Sequence, residues 1–125
     1  MNQARDLHII IAEISEQHGS FQPEAYLFAL EALEHAMQTQ DTPTHITGED
    51  LLGFIRQLGT DRYGPMAPDV FNSWGVRNTL DFGRIVFHLV DRDLLRKRDE
   101  DSLTDFLDKF DFDEAFSMKA FKGQA

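Results

Sequence analysis

SLTDFLDKFDFDEAF, residues 102–116, sets Phe106, Phe110, Phe112 and Phe116 among Asp105, Asp108, Asp111, Asp113 and Glu114. Four large apolar rings in so acidic a stretch either complete the chain's own core or wait for a partner. Burying one phenylalanine side chain is worth roughly 1.5–3 kcal/mol. Four exposed rings would forfeit much of a domain's net stability of ~5–15 kcal/mol and invite aggregation. We therefore assign Phe106, Phe110 and Phe112 to the core, with the carboxylates between them as a solvated rim; Phe116 and Phe121 are left open. Phe110 and Phe112 alternate as on one face of a strand, with Asp111 and Asp113 outward. Phe106 and Phe110 stand four apart, as on a helix, so both forms stay open for this segment.

Upstream, the periodicity is helical. Leu7, Ile10, Ile11 and Ile14 fall at i, i+3, i+4 and i+7, and Gly19-Ser20 ends that helix. Pro23 suits the first position of a second helix, PEAYLFALEALEHAMQ. Its expected face is Tyr26, Leu30, Leu33 and Met37, widened by Ala25, Phe28, Ala29, Ala32 and Ala36, which predicts a central helix packed on more than one side. Thr47 followed by Asp50 resembles a capping box for a third helix carrying Leu51, Leu52, Ile55 and Leu58. Gly64-Pro65 stops it. Pro65 or Pro68 starts a short fourth helix through Phe71, closed near Gly75. Asn78 or Thr79 caps a fifth, with Phe82, Ile85, Val86, Leu89 and Val90 apolar and Gly83 a weak point costing about 1 kcal/mol against alanine.

Helix, short helix, turn, helix, then Leu94-Leu95 and the polar loop RKRDEDS, is the order of a winged helix-turn-helix. A strand near Leu94 to Lys97 would pair with one near Phe106 to Phe112, and the loop between would be the wing. The expected architecture is mainly α: a single domain over 1–125 with five helices and a small C-terminal β-hairpin. Residues 1–46 form a helix pair packed on a winged-helix-like unit at 47–116, and 117–125 are a tail.

Length and composition agree with one globular domain: 125 residues, 42% hydrophobic, eleven Phe and no Cys. The lack of cysteine excludes disulfides, thiolate zinc sites and cysteine nucleophiles, and suits a reducing cytoplasm. Asp6 stands where a signal peptide would be basic, and no run approaches the ~18 apolar residues of a membrane span; a cytoplasmic protein is expected. The net charge of −10 opposes nucleic acid and anionic lipid. It is unevenly spread. Residues 1–46 hold seven acids and one base, 47–98 seven acids and eight bases, and 99–125 eight acids and three bases. Arg92, Arg96, Lys97 and Arg98 cluster in the middle region.

The ordered series PEAYLFALEAL, GPMA, WGV, DFGRIVFHLV, DSLTDF and FDFDEAF resembles a small bacterial family of conserved hypothetical proteins, found chiefly in planctomycete and verrucomicrobial genomes. The resemblance runs from about Pro23 to Phe116. It implies one intact domain and brings no activity, cofactor or catalytic residue.

The residues themselves offer little chemistry. Among His8, His18, His35, His45 and His88 there is no HExxH; Glu31 and His35, one helical turn apart, supply two metal ligands without a third. The acidic stretches lack the glycine and alternating oxygens of an EF-hand loop. No G-x-S-x-G, P-loop or GxGxxG occurs. Asp99 and Asp101 are a carboxylate pair without an evident pocket, so a solvated loop is the better account. We expect no enzyme, cofactor or metal.

Two binding readings compete. As a nucleic-acid binder of the transcriptional-regulator kind, the fifth helix would present Arg77, Arg84 and His88, with Arg96, Lys97 and Arg98 on the approach to the wing. Asp81, Asp91, Asp99, Glu100 and Asp101 oppose it. As a protein-interaction module, Trp74 beside Gly75, with Phe71 three residues earlier, is an interface anchor; a core plug between the short helix and the fifth is the weightier account of that indole. We expect non-enzymatic binding to a protein partner, with a homodimer through the N-terminal helices also open, and place interaction around Phe71, Trp74, Arg77 and Arg84.

Overall fold

The structure, a computed structural model, describes residues 3–38, 46–95, 103–106 and 109–116. The helices are α1 (Gln3–His18), α2 (Pro23–Gln38), α3 (Gly48–Tyr63), α4 (Ala67–Ser73), α5 (Thr79–Asp91) and the single turn α6 (Phe112–Ala115). Short 3-10 turns occupy Gly64–Met66 and Leu103–Phe106. Among the described residues no helix is long and apolar enough to cross a membrane.

Local chemistry explains where the helices begin. Thr47 Oγ1 accepts from the Asp50 amide at 3.0 Å while Asp50 Oδ2 accepts from the Thr47 amide at 3.3 Å, the reciprocal box expected from the sequence. Asn78 Oδ1 accepts from the Asp81 amide at 3.0 Å at the start of α5. Gly75 follows α4 at φ +91, and a Cβ there would meet the Ser20 carbonyl oxygen at 2.3 Å. Only glycine combines that left-handed turn with so close an approach by the α1–α2 connection. Beside it, the Gln22 amide donates to the Trp74 carbonyl at 3.0 Å.

α2 touches α1, α3 and α5. Its most buried face is not the one its bulky residues predict. Ala25, Ala29, Ala32 and Ala36 are buried with Tyr26 and Phe28, whereas Leu30 and Leu33 are only partly covered and Met37 is 50% exposed. Small side chains let neighbouring helices close on that face and leave the leucines on its flank. Residues of α1, α2, α3, α4, α5 and α6 enter one hydrophobic cluster, with Phe71 at its centre against Phe28, Phe82, Phe112 and Phe116.

The predicted hairpin is not seen. Among the described residues there is no strand. Phe106 closes a 3-10 turn, and Asp111 caps α6 by accepting from the amides of Asp113 at 2.8 Å and Glu114 at 3.3 Å. With Asp111 acting as a helix cap, Phe112 and Phe116 stand one turn apart and both enter the core. Phe106 enters it separately, between Gly48 of α3 and Gly83 of α5. Phe110 packs partly buried against the cluster. Phe121, Lys97 and the wing tip expected at Asp99 to Asp101 lie outside the described residues.

Candidate functional site

The structure brings Phe71 and Trp74 together inside the protein. Phe71 is fully buried and Trp74 is 8% exposed, their rings 5.6 Å apart. Phe28 and Tyr63 pack on the indole as well. In this arrangement neither ring offers a face to a partner; the indole is a core plug, with its ring partners on α2, α3 and α4 where the sequence pointed to the short helix and the fifth. Arg77 and Arg84 are exposed, and Asp81 joins them: Oδ2 accepts from the Arg77 amide at 2.9 Å, and Oδ1 accepts from the Arg84 guanidinium at 2.7 Å. Asp81 itself is buried, so Arg84 balances an interior carboxylate.

Arg77 borders a cleft of about 360 Å³ between α4, the turn before α5 and the segment entering α6. Asn72, Arg77, Phe110, Asp111 and Asp113 line it. One guanidinium faces two carboxylates there, and the Asn78 and Asp111 oxygens are already engaged as caps. Among the described residues, the lining holds no serine, histidine or lysine to act as nucleophile or base.

A second cluster was invisible in the sequence. The Tyr26 hydroxyl lies 2.9 Å from His88 Nδ1, and the His18 ring stacks on His88 at 3.6 Å with only 2° between planes. Burial pushes the Tyr26 phenol up to about 12. Burial also lowers His88, as do the charges of His18 and Arg84, while Asp91 opposes them. Phenol and imidazole share one hydrogen bond, whose direction follows the tautomer of the His88 ring. Among the described residues no three His, Cys, Asp or Glu side chains gather as a metal site.

The third feature is a groove of about 590 Å³ between α1 and α2. Leu7 of α1 faces Leu27 and Leu30 of α2, with Glu31, Glu34 and His35 alongside. Met37, seven residues beyond Leu30, extends the apolar strip along the same helix face and is half exposed. The Glu31 carboxylate pairs with Arg62 of α3. Glu34 accepts from the Gln38 side-chain amide at 3.4 Å. Glu31 and His35, weighed from the sequence as metal ligands, share a groove wall; among the described residues no group of three ligands forms. The groove escaped the sequence because Leu30 and Met37 read as core; the interleaving of leucine with glutamate in LEALE was its signal.

The chain was compared with family models, curated proteins and solved structures, and it matches none of them.

Proposed function

We propose that this chain is a non-enzymatic protein-binding module that receives a partner segment in the groove between α1 and α2. The occupant is an amphipathic helix with apolar side chains on one face and lysine or arginine beside them. One observation carries this: a floor of Leu7, Leu27 and Leu30 runs beside the carboxylates of Glu31 and Glu34. Arg62 already demonstrates the chemistry, since its guanidinium pairs with Glu31. Residues 1–46 hold seven acids against one base, so a second copy would bring like charge to the same surface. A basic partner is favoured over a homodimer on that ground.

Binding is favoured over catalysis because the polar groups with chemical potential are occupied structurally. Asp81 ties the start of α5 to Arg84, Thr79 holds the Phe106 carbonyl, and Tyr26 is hydrogen-bonded to His88. The order of α3, α4 and α5 keeps the winged-helix likeness as part of the proposal, and the bacterial family resemblance stands beside it. Nucleic acid is the weaker alternative, since Arg84 is paired internally and the chain carries −10. A cysteine-free chain suits the cytoplasm we assign to it.

The test titrates the full chain with a synthetic leucine-lysine amphipathic helix and with a leucine-glutamate helix of the same apolar face. Saturable binding of the basic peptide alone, weakened by salt and by Leu30→Asp, supports the groove. Equal binding of both peptides, or binding indifferent to Leu30→Asp, removes it. A dimer in sedimentation that dissociates on Leu30→Asp would transfer the surface to self-association.

A further inference from the structure

We propose that His18 and His88 form an acid-sensitive latch that fastens the end of α1 and the turn at 19–22 onto α5, and that protonation releases it. This rests on the two rings and their neighbours, independently of any partner in the groove. His18 is the last residue of α1, and His88 lies in the last turn of α5. Their rings stack face to face at 3.6 Å. Neutral imidazoles tolerate that arrangement; two imidazolium rings at that separation repel.

Every group around His88 has a defined part. From α2, the Tyr26 hydroxyl meets Nδ1 at 2.9 Å, and in the latch we assign it as the donor, with the ring's own hydrogen on Nε2. A second proton on Nδ1 would face that O–H, and the buried phenol would have to surrender this acceptor. From α1, His18 supplies the opposing ring. From the turn, Phe21 is tilted over the imidazole with centroids 6.0 Å apart. On α5 itself, Asp91 favours the cation and Arg84 disfavours it. One turn further along, Arg92 meets Glu13 of α1 at 3.7 Å, a largely solvated pair.

What the latch closes is equally specific. The Ser15 hydroxyl donates to the Phe21 carbonyl at 2.6 Å, and the Gln22 amide donates to the Trp74 carbonyl at 3.0 Å. Phe21 and Tyr26 are both buried beneath this end of α1. Release therefore uncovers two aromatic rings while α3, α4 and α5 keep their own packing.

Amide hydrogen exchange of the full chain between pH 7.5 and 5, corrected for the intrinsic pH dependence, reads this directly. We expect protection at Gln22 to fall about tenfold per pH unit for each proton taken up below the ordinary imidazole value of about 6.5. Amides of α3 should hold theirs. His88→Gln keeps an acceptor for Tyr26 and cannot charge, so its Gln22 protection should stay flat. His18→Asn removes the opposing ring and should shrink the loss. Unchanged protection in the parent protein, an equal fall in His88→Gln or in His18→Asn, or a parallel fall across α3 would each overturn the latch.

Discussion

Phe106 lies so close to Gly83 that a methyl group on residue 83 would stand 2.7 Å from its Cγ and 2.8 Å from its Cβ and Cδ2. One turn earlier on α5, the Thr79 hydroxyl donates to the Phe106 carbonyl at 2.5 Å and accepts from the Lys109 amide at 3.2 Å. The helix thus receives the closing segment twice on one face, by a missing side chain and by a hydroxyl. Gly83, a local defect in helix propensity, is the space that the ring fills.

Gly83→Ala should therefore destabilise the protein, although propensity alone predicts a gain of about 1 kcal/mol. The atoms in the way are the root of the Phe106 side chain, which cannot swing aside as a flexible tip would. Overpacking of this kind costs about 1–3 kcal/mol. Urea unfolding of the two proteins decides the sign, and a raised midpoint for the alanine variant would mean the ring does not sit there.

Thr79→Val keeps the shape and removes the hydroxyl. It leaves a carbonyl and an amide of the closing segment without their partner, at a cost of about 1–3 kcal/mol for an unsatisfied buried group. Thr79→Ser should retain most of the stability. Equal midpoints for the valine variant and the parent protein in urea unfolding would show that the hydroxyl holds nothing.

Phe116 and Phe110 separate core from rim within the same acidic stretch. Phe116 is 1% exposed, 5.7 Å from the Phe71 ring and against Gly59. Phe110 is half-buried, with the Arg56 guanidinium 5.8 Å from its ring centre. Phe116→Ala should cost about 3–5 kcal/mol and Phe110→Ala distinctly less. Chemical denaturation of both variants is the measurement, and equal losses would contradict the burial.

The helices from α1 to α5 were legible because their signals are local: the Thr47–Asp50 box, Asn78 at a helix start, and Phe82, Ile85 and Leu89 at helical spacing. The closing segment was not, because it carries both periods. Phe110 and Phe112 alternate while Phe112 and Phe116 stand one turn apart. The choice between them is made by Asp111 as a cap and by Thr79 and Gly83, which lie far away in sequence. Trp74 had no local marker to separate anchor from core. The leucine groove was hidden by the assumption that the larger apolar residue faces inward, which the alanines of α2 reverse. His18 meets His88 only after α1, α2 and α5 have packed, so no spacing announces the pair.

Tyr26→Phe removes the hydroxyl that meets Nδ1 of His88, an imidazole that burial already holds below its ordinary value. In the folded protein His88 titrates below its ordinary value, so its contribution to stability is present above about pH 6.5 and is lost as pH falls from there through the lower folded value. Removing the phenol hydroxyl takes away the partner of the neutral form and lets the folded-state value rise toward the ordinary one. At pH 7.5 the variant should be less stable by about 0.5–1.5 kcal/mol, the net worth of a typical hydrogen bond. Its further loss on acidification should be smaller, because less separates the folded and unfolded titrations. The unfolding free energies of Tyr26→Phe and the parent protein should therefore converge between pH 7.5 and 5, with the His88 imidazole resonance titrating at higher pH in the variant. Parallel stability curves, or an unmoved resonance, would place the hydroxyl outside the proton balance of His88.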